Sequence, residues 1–182
     1  MRLFVALSPP PDTLDAVEAA VALGRAHTPD LRWVPREEWH ITLVFLGEVA
    51  EERLPALAER VAEQVRVRHP LTLGVQGWGR FPRRGPRSAV LWAAVTGDTV
   101  ALDRLARGLR SAARAARIPV ERRPYVPHVT IARSRPPRDL SDTVAALGTL
   151  SGTVWEARRV HLVESRPGAA DRYRTVRTWE LG

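Results

Sequence analysis

Much of this chain is written twice, at a fixed offset of 88 positions. Trp39-His40-Ile41-Thr42-Leu43 and Pro127-His128-Val129-Thr130-Ile131 share the core His-x-Thr-aliphatic. The same offset aligns Leu3-Phe4-Val5-Ala6-Leu7 with Leu91-Trp92-Ala93-Ala94-Val95 without a gap. It also sets Leu14, Asp15, Val17 and Val21 on Leu102, Asp103, Leu105 and Leu109. Each copy therefore reads as an apolar strand, an amphipathic helix and a second strand that carries the motif. In an extended strand residues i and i+2 share a face, so each copy projects an imidazole beside a hydroxyl. A pseudo-twofold arrangement of the copies would bring both pairs to one central cleft.

The rest of the chain supports one domain over residues 1–182, made of two pseudo-symmetric lobes, since no linker or low-complexity segment divides it. Arg2 to Leu7 reads as a buried strand. Pro9-Pro10-Pro11 and Asp12-Thr13 open a helix that Gly24 is expected to stop. Leu31 to Val34 is a short strand, and the His40 strand ends at Gly47. A second helix spans roughly Glu51 to Arg66, with Leu54, Leu57, Val61 and Val65 at helical spacing. Leu71 to Val75 alternates as a strand, Gly79 to Arg87 reads as a basic loop, and Ser88 to Val95 is another strand. The helix from Thr99 to Arg117 buries Leu102, Leu105, Leu109, Ala112 and Ala116 and turns an arginine stripe to solvent. After the His128 strand come an Arg/Pro segment, a short helix over Ser141 to Leu147 capped by Gly148, and two closing strands over Thr153 to Ser165 and Tyr173 to Leu181.

Charge and composition narrow the chemistry. The formal charge is +8 and every one of the 28 basic residues is arginine, whose planar fork suits phosphate. The expected partner is a polyanion such as nucleic acid. There is no cysteine, which excludes disulfides and thiolate metal sites. The first apolar run is too short for a signal peptide and none reaches membrane-spanning length, so a cytoplasmic protein with no membrane partner is expected.

Two of the five histidines thus supply groups that titrate near neutrality, and Thr42 and Thr130 supply donors for an oxyanion. A metal is the rival reading. Catalytic zinc takes about three protein ligands, and neither motif carries an adjacent acid or thiol in both copies: Glu38 and Glu48 flank the first and have no counterparts at the second. No cofactor and no metal are expected. Tyr125, beside two prolines, is the base-stacking candidate, with simple packing as the alternative. Arg80, Arg83, Arg84 and Arg87 around Phe81 form a candidate RNA-backbone contact.

These residues resemble the 2H phosphoesterases, named for two His-x-Thr/Ser motifs, and among them the RNA 2′,3′-cyclic phosphodiesterases, also called 2′-5′ RNA ligases. The resemblance runs from the Arg-Leu-Phe-Val-Ala opening through both motifs, with Phe45-Leu46-Gly47, Pro124-Tyr125 and Ile131-Ala132-Arg133, to Leu162-Val163-Glu164-Ser165 and Tyr173. It implies a bilobal α+β fold with an antiparallel sheet in each lobe, helices outside and the two motifs in a central cleft. It implies opening of an RNA terminal 2′,3′-cyclic phosphate to a 2′-phosphate without metal, with His40 as general acid and His128 as general base, while the residues by themselves allow the swapped roles equally. Thr42, Thr130 and Arg133 would then bind substrate. The ligation direction and a non-catalytic RNA-binding module remain alternatives. Arg133 presents a geometric difficulty: strict alternation turns it away from His128 and Thr130, so a bulge or strand end must redirect it. Its counterpart in the first copy is Phe45. A monomer is expected, because the duplication closes its own cleft.

Overall fold

The computed structural model describes residues 1–182. Its elements are β1 (Arg2–Leu7), α1 (Pro11–His27), β2 (Arg32–Trp33), β3 (Ile41–Glu48), α2 (Leu54–Arg66), β4 (Leu71–Phe81), β5 (Ser88–Gly97), α3 (Thr99–Ala115), β6 (His128–Arg138), α4 (Ser141–Leu147), β7 (Trp155–Ala157), β8 (Arg159–Ser165) and β9 (Tyr173–Glu180). The fold is α+β and every strand pairing is antiparallel. The strands follow the order β7-β4-β5-β6-β3-β1-β8-β9, with β2 on β6. No helix is long and apolar enough to cross a membrane.

The duplicated unit sets the centre of this order. In the first half β1 pairs with β3 around α1, and in the second β5 pairs with β6 around α3. The two blocks meet edge to edge through a single residue pair, Ile41 with Val129, the middle residues of the two motifs. The sheets of the two lobes are therefore one path with a narrow join. Helices pack in two pairs, α1 with α4 and α2 with α3.

Strand alternation divides the side chains of β1. Leu3, Val5 and Leu7 enter a core of 37 buried residues, together with Leu102, Leu105 and Leu109 of α3. Phe4 and Ala6 point the other way and pack with Val163 and Tyr173 in a smaller cluster. The apolar stripe expected on α3 is buried throughout, each leucine contributing about 1.5–3 kcal/mol. This rigid floor is what holds the motif strands.

Several boundaries differ from expectation. Gly24 does not stop α1; it lies inside the helix, where an added Cβ would come within 2.6 Å of Leu147 and 2.8 Å of Trp33. The glycine serves close approach, not termination. Gly79, Arg80 and Phe81 belong to β4, paired with Trp92, Leu91 and Val90, so the basic loop is confined to residues 82–87. Ladder pairing to β5 prevails there over the charge of the segment. The α3 helix ends at Ala115, because Arg117 takes φ +59°. The Arg/Pro segment after the second motif is the continuation of β6.

Candidate active site

Both motif strands are bulged at the same repeat position. Along β1 and β3, Ala6 pairs with Thr42 but Val5 pairs with Val44, which leaves Leu43 as the extra residue. Along β5 and β6, Trp92 pairs with Thr130 but Leu91 pairs with Ala132, which leaves Ile131 as the extra residue. Each bulge drops one aliphatic side chain into the core, Leu43 at 2% exposure and Ile131 at 0%, and reverses the alternation that follows. Directly opposed residues share a face, so Arg133, opposite Val90, returns to the side of Thr130 and His128. By the same shift Phe45, opposite Phe4, returns to the side of Thr42. The difficulty with Arg133 is thus resolved by a bulge, and the cleft carries a cation in one half where the other carries an aromatic ring.

The Ile41–Val129 join places the motifs around a local pseudo-dyad. Antiparallel strands paired there set Thr42 alongside His128 and His40 alongside Thr130. His40, Thr42, His128 and Thr130 all line one cavity of about 470 Å³.

The two imidazoles are anchored alike. His40 Nδ1–H donates to the Glu38 carbonyl at 2.7 Å, and His128 Nδ1–H donates to the Val126 carbonyl at 2.6 Å. In each copy the acceptor is the residue two positions upstream. The anchor fixes the neutral tautomer with its lone pair on Nε2. For His40 that lone pair accepts from Thr42 Oγ1–H at 2.9 Å. His128 Nε2 accepts from no protein group. Each ring also leans on aromatics: His40 on Phe4 (4.7 Å between centroids) and Tyr173 (5.2 Å), His128 on Trp92 (5.5 Å) and Phe81 (5.1 Å). Phe4 and Trp92 are repeat equivalents, visible as such in the 88-residue alignment.

Burial dominates the acidity of these groups. It pushes His40 down to about 4; the Glu38 carbonyl opposes this, and the charges of His128, Arg133 and Arg172 add to it. His128 is lowered mainly by burial, against the Val126 carbonyl, with Arg133 and Arg83 contributing. His40 is therefore neutral at pH 7 in the free protein, and burial favours the neutral form of His128 as well.

Four arginines, Arg2, Arg32, Arg133 and Arg172, face a single acid, Glu38, in this cavity. Glu38 is engaged by Arg172 at 3.6 Å. Arg133 loses basicity, first to burial and then to Arg32, Arg135 and Arg172, with Tyr173 opposing. Arg2 stands over the Phe45 ring at 5.3 Å. Such a concentration of unneutralised guanidinium is a site for an anion. Arg2, Arg32 and Arg172 converge through β1, β2 and the β8–β9 loop; Arg2 opens the Arg-Leu-Phe-Val-Ala stretch, whereas Arg32 and Arg172 lie in no motif.

Tyr125 is not among the residues lining the cavity. Its hydroxyl donates to the Thr42 carbonyl at 2.9 Å, and burial raises its pKa. It ties the loop before the second motif to the strand of the first, and the exposed aromatic of the cleft is Phe45, with Tyr173 and Trp33 half-buried beside it. Phe81 supports His128, and Arg80 is bound to the Pro82 and Gly85 carbonyls and Ser88 Oγ, so the expected RNA-contact group is partly structural. No group of three or more His, Asp or Glu side chains converges as a metal-binding set.

Residues 9–169 match the model of the 2′-5′ RNA ligase superfamily. An RNA 2′,3′-cyclic phosphodiesterase of Thermus thermophilus is 36% identical over 178 residues, which covers 91% of this chain and 82% of that relative. One from Geobacillus stearothermophilus is 32% identical over 131 residues, 71% of this chain but 41% of the relative's length. The crystal structure of TT0787 of Thermus thermophilus agrees with a TM-score of 0.76 at 29% identity, over 100% of this chain and 98% of that one. A match over most of the chain, a shared fold and identity above 30% have one meaning: the chain belongs to the 2′-5′ RNA ligase superfamily, the 2H phosphoesterases, a family of enzymes.

Proposed function

We propose that this protein hydrolyses the terminal 2′,3′-cyclic phosphate of RNA to a 2′-phosphate by two-histidine acid/base catalysis without a metal. The observation that carries the reading is the pair of imidazoles anchored alike through Nδ1, both presenting Nε2 to one arginine-lined cleft. His128 Nε2, with a free lone pair, takes a proton from water as the water oxygen bonds to phosphorus. The P–O3′ bond breaks, and His40, protonated in the substrate complex, gives its Nε2 proton to O3′. Thr42 and Thr130 hydroxyls donate to the non-bridging oxygens, and Arg133 neutralises their charge. Tyr125 acts as a positioning residue, through the Thr42 backbone.

The name that the relatives carry, RNA 2′,3′-cyclic phosphodiesterase, supports the same reaction. Ligation in the 2′-5′ sense would use these groups in reverse. We further read residues 1–182 as one domain of two lobes, active as a monomer because both half-sites lie in one chain. The cytoplasm is the proposed compartment, in keeping with a chain that has no cysteine. The test compares wild type, His40→Ala and His128→Ala on a cyclic-phosphate RNA. Each variant should lose about 10²-fold or more in kcat while keeping its far-UV circular dichroism. Near-normal turnover by either would overturn the two-histidine mechanism.

A further inference from the structure

A second hollow, of about 410 Å³, adjoins the catalytic cleft, and the two share Arg32 and Arg133 as a common wall. Its remaining basic lining is Arg135 and Arg138, from the outward run of β6. Arg32 and Arg133 are directly opposed on paired antiparallel strands. Like charges in that position oppose strand pairing, and a neutral pair would hold the two strands better. Arg138 is committed to Asp30 through two contacts of 2.8 and 3.3 Å. Arg32, Arg133 and Arg135 have no carboxylate partner. Arg133 and Arg135 stand at i and i+2 on β6, on either side of the buried Ser134, and both line this hollow. Ser134, buried between them, donates to the Pro136 carbonyl at 2.8 Å and fixes the backbone.

The chemistry of the substrate says which anion belongs here. In an RNA that ends in a 2′,3′-cyclic phosphate, the cyclic phosphate is the last anion, and the next is the phosphodiester on the 5′ side of the same nucleoside. A mononucleoside cyclic phosphate lacks it. We propose that the hollow between Arg32, Arg133 and Arg135 is a subsite for that 5′ phosphodiester, which makes RNA ends of two or more nucleotides the preferred substrate. The proposal rests on the hydrolytic reading of the cleft. Arg133 faces the cyclic phosphate, Arg32 stands between the two anions, and Arg135, absent from the catalytic cleft, serves the 5′ phosphodiester alone. Each anion also relieves the repulsion among the guanidiniums.

The experiment compares a mononucleoside 2′,3′-cyclic phosphate with a trinucleotide ending in the same group, on wild type and Arg135→Gln. Wild type should have the higher kcat/KM on the trinucleotide. Arg135→Gln should lower that value about 5- to 10-fold, as expected for one exposed phosphate contact, and leave the mononucleoside rate unchanged. The slope of log kcat/KM against log salt on the trinucleotide should lessen by about 0.7, the value for one neutralised phosphate on a single strand. Equal effects on both substrates, or no effect on either, would overturn the subsite. Binding of a fluorescent trinucleotide with a 2′-phosphate end, measured by anisotropy, tests the hollow apart from catalysis. Wild type that binds it more tightly than Arg135→Gln while cleaving neither substrate sustains the subsite and defeats the hydrolase reading. Equal affinities defeat the subsite.

Discussion

An imidazole pushed down to about 4 is a poor proton donor at neutrality, and its recovery on anion binding is a direct consequence of the site's electrostatics. At pH 7 only about one His40 in 10³ is protonated in the free protein. The causes are burial and the nearby charges of His128, Arg133 and Arg172, and a bound phosphate acts against both. A single negative charge about 4 Å from Nε2, at an effective dielectric of about 20, favours the imidazolium by about 4 kcal/mol. That is equivalent to about three pH units, enough to return His40 to the ordinary imidazole range. Phosphate binding should therefore charge the acid it needs. The assay is an NMR titration of the imidazole nitrogens in isotopically labelled protein, free and saturated with inorganic phosphate, with His40→Gln to assign the His40 signals among the five histidines. His40 should titrate far below 6.5 when free and rise by about two to three pH units when bound. A free value near 6.5, or one that phosphate leaves unmoved, would refute the reasoning. Arg133→Gln should raise the free value, because that guanidinium disfavours the imidazolium.

Three further outcomes follow from the same contacts. Stability should fall as pH drops from about 6.5 toward 4, because the unfolded chain protonates His40 before the folded one does; full titration is worth about 3 kcal/mol, urea melts should show it, and His40→Gln should lessen the slope. Tyr125→Phe removes the bond to the Thr42 carbonyl and should cost about 1 kcal/mol of stability, with kcat reduced more than KM is raised, measured by denaturation and steady-state kinetics. Gly79→Ala would set a Cβ 2.2 Å from the Trp92 ring, which leans on His128; a loss of about 1–3 kcal/mol in stability and a fall in kcat are expected by thermal melts and turnover.

The duplication, both motifs, the apolar stripes of α2 and α3 and the α+β class are all legible in the sequence, because periodicity and repetition are local properties of the string. The two bulges are not. A bulge is a count of residues relative to a partner strand, and nothing in Thr-Leu-Val or Thr-Ile-Ala states what lies opposite. Arg133 shows both sides of this, since alternation exposes the problem and only the register with β5 solves it. Gly24 reads as a stop because the side chains that crowd it, Leu147 of α4 and Trp33 of β2, are brought there only by the fold. Tyr125 reads as a base platform for the same reason: its acceptor lies 83 residues away. Arg32 and Arg172 escape notice because arginine is the chain's general cation, and topology alone selects them for the cleft.

The central claim is metal-independent opening of a 2′,3′-cyclic phosphate by His40 and His128. The most direct measurement incubates wild-type protein and the two alanine variants with a cyclic-phosphate RNA in EDTA and resolves the product by phosphorus NMR. Wild type should keep full turnover in EDTA and give a 2′-phosphate as the sole product, and either variant should give little product. A 3′-phosphate product, activity abolished by EDTA and restored by a divalent ion, or undiminished turnover without either histidine would contradict it.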